Sequence, residues 1–317
     1  MVTARPFWSK SNSMDSQPTT ALDGREPFDE VIHIATPSER RLGMVFASPH
    51  SGCIYPAEFL AQSLQEPNAL RRSEDSFVDE LWAGAVEQGA PMLKALFPRA
   101  YLDANREAYE LDPAMFDEPL PSFVNSDSAR VIAGLGTIAK VVSSGAEIYR
   151  RKLSFAEAER RVQQLYLPYH QALRQLIDET VERFGHCILI DCHSMPSSGT
   201  EAAQGHHGRV DFVLGDCFGQ ACAPQITRAA DAMLSHLGYR CLRNTPYAGG
   251  HTTRFYGRPE CGVHALQIEI SRSLYMNEAT HVKTEGFARL RSDLSRVVAA
   301  LAALPAEPLQ PRGYRTS

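Results

Sequence analysis

Short, almost wholly apolar runs alternate along the chain with longer segments in which apolar positions recur at helical spacing. Runs at 44–47 (MVFA), 187–190 (CILI), 212–214 (FVL) and 263–270 (VHALQIEI) read as strands. Their near-continuous apolar character suits strands buried on both faces. Helical patterns fall between them. The clearest opens at Ser154, where S-F-A-E offers a capping box with Glu157. It runs toward Phe184, with Gly185 as its stop and Pro168 placed to kink or split it. Further helices are expected over 73–87, 224–237 and 278–303. This order predicts an α/β fold with a mixed, largely parallel sheet and helices on both faces. In such sheets ligands bind beyond the carboxyl ends of the strands.

The ends of the chain depart from this pattern. Residues 1–26 are polar, rich in Ser and Thr and without a period, as expected of a flexible arm. Residues 305–317 hold three prolines in a short polar stretch, a tail that drapes over the surface or stays disordered. Between them, 27–304 shows no linker, repeat or change of composition, so one domain is expected.

Composition narrows the partners. Lys+Arg 32 against Asp+Glu 37 gives a net charge of -5, without the basic excess that nucleic acid or an anionic membrane demands. The longest apolar runs fall well short of the ~18 residues of a membrane span, and the N-terminus lacks a secretory apolar core. Seven scattered cysteines without a C-x-x-C pair argue against a disulfide framework or a cysteine zinc site and fit a reducing, cytoplasmic setting. A small-molecule partner is left as the expectation, together with eleven histidines to explain.

Two of these follow buried strands at once. MVFAS runs into Pro49-His50-Ser51-Gly52, and CILID into Cys192-His193-Ser194. Strand parity puts Asp191 and His193 on one face and Cys192 on the other, so a Cys192–His193 nucleophilic pair is disfavoured. The same parity sets Gln267, Glu269 and Ser271 opposite Leu266, Ile268 and Ile270. A carboxylate inside such a strand is costly unless it is paired or beside a metal. Burial also raises its pKa toward the working range of a general base. A metal site of two histidines needs a third ligand, and the stretch 73–80 (SEDSFVDE) offers Glu74, Asp75 and Asp79 without choosing among them. Arg106, in Y-L-D-A-N-R at the end of an expected strand, and Arg254, in the loop Gly249-Gly250-His251-Thr252-Thr253-Arg254, are candidate carboxylate anchors. The double glycine allows close backbone approach, which brings Gly250 and His251 to the pocket's edge. His206 and His207 read as a solvated loop pair, and His170, His186 and His236 as structural.

Seven segments in order resemble the N-formylglutamate amidohydrolase family, relatives of the zinc carboxypeptidases. They are S-P-H-S-G-C-I-Y-P at 48–56, E-D-S-F-V-D-E-L at 74–81, Y-L-D-A-N-R at 101–106, D-C-H-S-M-P at 191–196, D-F-V-L-G at 211–215, G-G-H-T-T-R-F-Y-G at 249–257, and H-A-L-Q-I-E-I followed by L-Y-M within 264–276. The resemblance implies a carboxypeptidase-like (phosphorylase/hydrolase-like) α/β fold and one divalent metal, zinc, held by His50, Asp75 and His193. It assigns Glu269 as general base. Asn105 and Arg106 would hold the substrate carboxylate or polarise the carbonyl, and Arg254 would add a second cation. It also implies hydrolysis of an N-acyl amino acid, with N-formyl-L-glutamate to formate and glutamate as the leading case, in amino-acid and specifically histidine catabolism. The rivals are an amidase or carboxypeptidase acting on another N-acyl amino acid or small peptide, and a non-catalytic binder of acidic ligands. One departure stands out: the chain reads Ser194-Met195-Pro196 where formylglutamate-specific members carry a basic residue near position 195. A net charge of -5 would repel a dianionic substrate, so arginines and a metal must invert the field locally.

Overall fold

In a computed structural model, which describes residues 30–198 and 210–311, seven strands form one sheet. They are β1 (Ile32–Ala35), β2 (Met44–Ser48), β3 (Met92–Ala95), β4 (Cys187–Met195), β5 (Phe212–Gly215), β6 (Cys241–Arg243) and β7 (Val263–Ser271), in spatial order β1-β3-β2-β4-β7-β5-β6. The central strands β3, β2, β4 and β7 run parallel. β1 lies antiparallel to β3 at one edge, and β5 antiparallel to β7 with β6 parallel to β5 at the other. The four runs read as strands are β2, β4, β5 and β7. The remaining three have four residues or fewer and carry His33, Lys94 and Arg243, too little chain to display a period.

The sheet is mixed, with helices on both faces, because successive side chains of its central strands feed two cores. Phe46, Ile190, Cys192 and Ile268 pack with Ile226 and Leu234 of the helix Pro224–His236 and with Leu294 and Val297 of the helix Gly286–Ala302. Val45, Ala47, Leu189 and Ala265 pack on the opposite face against Tyr169, Leu173 and Ile177 of the helix Leu167–Phe184. Each such Leu, Ile or Phe contributes about 1.5–3 kcal/mol by leaving water. No helix among the described residues is long and apolar enough to cross a membrane.

Several elements differ from expectation for local reasons. The helix opening at Ser154 is capped by the Ser154 hydroxyl, which accepts from the Glu157 amide at 3.2 Å. The Glu157 carboxylate turns to Arg151 and Arg161. A π-helical turn, Val162–Tyr166, runs without a break into Leu167–Phe184, so Pro168 lies just past a bulge in one continuous helix, where the i→i−4 ladder is already interrupted. The helix expected over 73–87 is two short pieces, Val78–Leu81 and Gly84–Gln88. Residues 73–76 form the turn before them, closed by Phe77 in a left-handed conformation at φ 67. The final helix begins at Gly286, and residues 278–285, expected to start it, instead turn back so that Val282–Lys283 pairs with Met276–Asn277. Tyr101–Arg106 is not at a strand end: β3 stops at Ala95 and the segment is a turn. The tail lies on the sheet as far as residue 311, with Leu309 buried and its carbonyl accepting from His264 Nε2 at 2.9 Å. The arm 1–26 and the pair His206 and His207 lie outside the described residues.

Candidate functional site

β2, β4 and β7 lie side by side and deliver His50, His193 and Glu269 to the carboxyl edge of the sheet. His193 and Glu269 are register partners on adjacent strands. Strand parity holds as read: Asp191 and His193 share a face, and Cys192 packs into the opposite core. Glu269 Oε1 accepts from Gln267 Nε2 at 2.9 Å, and Gln267 Oε1 accepts from the Gly250 amide at 2.6 Å.

His50, Asp75 and His193 converge, one ligand atom from each lying within 4.8 Å of the others, all three residues buried. Asp75 Oδ2 is 3.2 Å from His50 Nδ1 and 3.0 Å from His193 Nδ1. This choice among the acidic residues follows from their partners. Glu74 accepts from Tyr55, Ser76 and Arg71, and Asp79 pairs with Lys94. Asp75 Oδ1 is taken by Ser194 Oγ at 3.0 Å and Arg272 at 3.1 Å, which leaves Oδ2 to face the histidines. The far ring nitrogens are also held. His50 Nε2 lies 2.7 Å from Asp103 Oδ1, and His193 Nε2 lies 2.9 Å from Asp191 Oδ1. A carboxylate behind each imidazole fixes its tautomer and turns the Nδ1 lone pair toward a common point. Two imidazoles and one carboxylate oxygen are a donor set competent to hold a divalent metal ion.

Burial alone would raise the pKa of Asp75, but the hydrogen bonds and charges of His193 and His50 outweigh it and hold it well below the usual carboxylate range. Burial would likewise lower that of His193, and Asp191 and Asp75 outweigh it, raising it well above the ordinary value. Glu269 goes the other way. Desolvation dominates, opposed in part by His193, and its pKa rises to about 7. Replacing Asp103 or Asp191 by Asn is expected to weaken metal affinity by about 10–100-fold, because each releases one imidazole while leaving all three ligands in place. Competition against a chromophoric chelator measures this directly.

The remaining candidates are distributed unevenly. Asn105 is buried; its Oδ1 accepts from the Thr252 amide at 2.7 Å, and its Nδ2 lies 2.9 Å from His193 Nε2 and 3.4 Å from Asp191 Oδ2. With His193 Nε2 donating to Asp191, the acceptor left for Nδ2 is Asp191 Oδ2, so Asn105 ties the helix His251–Tyr256 to the carboxylate behind His193. A Cβ at Gly250 would come within 2.4 Å of Asn105 Nδ2. Gly250→Ala is expected to cost about 1–3 kcal/mol through overpacking, read by thermal unfolding, and to loosen His193 with it. Arg106 has all its nitrogens on protein acceptors: Nε on Leu135 O at 2.8 Å, one terminal nitrogen on Asn105 O at 2.8 Å and the other 3.5 Å from Asp103. This places it behind Asp103 as a support. Arg254 is exposed, and half-buried His251 stacks on Phe255 with Nε2 3.3 Å from the Tyr166 hydroxyl. His170 is structural, bonded to Ala104 O and the Tyr256 hydroxyl at 2.9 Å each.

The sequence put Asp191 on the face of His193 without giving it a role, and Asp103, Ser194 and Arg272 were not singled out. Arg272 was detectable as a charge directly after a buried strand, at the edge where ligands bind.

The sequence profile of the N-formylglutamate amidohydrolase family matches residues 42–276. The chain is 38% identical to an N-formylglutamate amidohydrolase from Ralstonia eutropha JMP134, whose crystal structure superposes with a TM-score of 0.80, covering 86% of this chain and 97% of that one. It is 30% identical over 253 residues to an N-formylglutamate deformylase of Pseudomonas aeruginosa, covering 79% of this chain and 87% of the relative. A deformylase of the same name from Pseudomonas putida is 28% identical over 259 residues, covering 81% and 88%.

Proposed function

The chain belongs to the N-formylglutamate amidohydrolase family, and from that premise we propose that it hydrolyses the amide bond of N-formyl-L-glutamate, giving formate and L-glutamate. The observation that carries the reading is a buried carboxylate, Glu269, held near pKa 7 in register with a ligand histidine. His50, Asp75 and His193 hold the ion, which we take to be zinc. When bound, it supplies Lewis acidity toward the formyl oxygen and toward water. Glu269 takes the proton of the attacking water and returns it to the departing amine, while Gln267 fixes its carboxylate. Asp103 and Asp191 hold the two imidazoles in one tautomer, and Asn105, bonded to the helix His251–Tyr256, donates to Asp191. We assign exposed Arg254 and half-buried His251, on the helix His251–Tyr256, to the incoming carboxylate, as a positive charge and a hydrogen-bond donor. Seven free cysteines support placing the enzyme in the reducing cytoplasm.

The test is metal analysis of the purified chain combined with product analysis over N-formyl, N-acetyl and N-succinyl amino acids. Formate and glutamate should be released fastest from N-formyl-L-glutamate. Preference for another acyl group would replace the substrate and keep the chemistry. A protein with no stoichiometric metal, and no turnover on adding zinc, cobalt or manganese, would be a binder of acidic ligands instead.

A further inference from the structure

The substrate of the proposed reaction carries two carboxylates, and the cleft already holds those of Asp75, Asp103, Asp191 and Glu269, all buried. Admitting such an anion takes a cation with hydrogen-bond donors to spare. Three arginines border these carboxylates, and two are fully committed. Arg106 spends its nitrogens on Leu135, Asn105 and Asp103. Arg272 spends its own on Ser194 Oγ at 3.1 Å, Arg72 O at 2.9 Å and Asp75 Oδ1 at 3.1 Å.

Arg99 differs. One terminal nitrogen donates to Asp103 Oδ2 at 2.8 Å, and its other nitrogens make no hydrogen bond among the described residues. Its side chain is 24% exposed, against 9% for Arg106 and 8% for Arg272. It lies four residues beyond the carboxyl end of β3, which pairs with β2, so it stands at the same sheet edge as His50. Burial works against its charge, but Asp103, Asp75 and Glu269 outweigh that and keep it cationic. The same interactions place its field on the metal cluster and on the candidate base.

Building on the hydrolase reading above, we propose that Arg99 binds a carboxylate of the substrate through the guanidinium donors that Asp103 leaves open. Asp103 anchors the guanidinium from behind and holds His50 with its other oxygen at 2.7 Å, so one residue orients both a metal ligand and the anion site.

The experiment is calorimetric titration of glutarate, a dicarboxylate without an amide, into the metal-loaded full chain and its Arg99→Gln and Arg99→Lys variants. The Gln variant should lose about 10–100-fold in glutarate affinity, with metal affinity by chelator competition unchanged within about threefold. The Lys variant should fall between, since an ammonium keeps the charge and loses the planar fork. Unchanged glutarate binding in both variants overturns the proposal, as does failure of the wild type to bind glutarate. A loss that tracks metal affinity also overturns it, making Arg99 a prop for Asp103. Wild-type hydrolysis of N-formyl-L-glutamate is scored separately. If it is absent while glutarate still binds through Arg99, the substrate assignment falls and the anion site stands.

Discussion

Glu269→Gln is expected to lower turnover by about 10²–10⁴-fold while the protein keeps its metal, the range that removal of a positioned general base produces. The substitution preserves shape and an oxygen that can accept from Gln267 Nε2, so the change is confined to proton transfer. The pH profile carries the second half of the test. Desolvation raises Glu269 to about 7, so the ionised, proton-accepting form grows as pH passes through that value. Activity of the wild type should climb along an acid limb near pH 7 and then level; in the glutamine variant the limb should vanish. Stability moves with the opposite sign. A pKa raised from 4.5 to about 7 means that the buried neutral acid favours the fold below pH 4.5, and that this contribution is lost as pH rises through 7. Metal-free Glu269→Gln, which cannot ionise, should therefore gain thermal stability over the wild type above pH 7 and match it at low pH. Near wild-type turnover in the metal-replete variant would remove Glu269 from the mechanism.

The parts of this architecture that the sequence displays are those in which one strand suffices to define a relation. His193 and Asp191, or Glu269 and Gln267, share a face because they are two residues apart, and the strands that carry them are apolar enough to be recognised. Relations that cross elements are invisible to that logic. Asp75 precedes a helix, where an acidic residue is unremarkable, and only the left-handed Phe77 and the turn at 73–76 swing it between the two histidines. Arg106 and Arg99 are equally cationic in the sequence and only seven positions apart. Their difference lies in what each has already bonded, three acceptors against one. The short strands β1, β3 and β6 escaped for a related reason. Their stability comes from neighbours already in the sheet, and a segment of three or four residues has no periodicity of its own to show.

Asp75→Asn should have the largest combined effect of any single substitution, because Asp75 sits at the junction of two networks. Its Oδ2 faces both histidines, and its Oδ1 receives Arg272 and Ser194. The asparagine retains an oxygen acceptor and loses the charge. Metal affinity should drop by more than the roughly 10–100-fold expected for the carboxylates behind the imidazoles, since here a ligand itself is weakened. The fold should suffer as well. Arg272 is 8% exposed at its side chain, and removing one member of a buried ion pair typically costs about 3–5 kcal/mol. The hydrogen bonds Arg272 keeps to Ser194 and Arg72 O put the expected loss toward the lower end. Asp79→Asn is the matched control four residues away. Its partner Lys94 is 31% exposed, so that pair contributes only about 0–1 kcal/mol, and no metal effect is expected. Metal content after dialysis and unfolding midpoints of the two variants, measured together, separate the roles. An Asp75→Asn protein that lost stability yet retained wild-type metal affinity would leave Asp75 as the counter-ion of Arg272 alone, and the third ligand would have to be sought elsewhere.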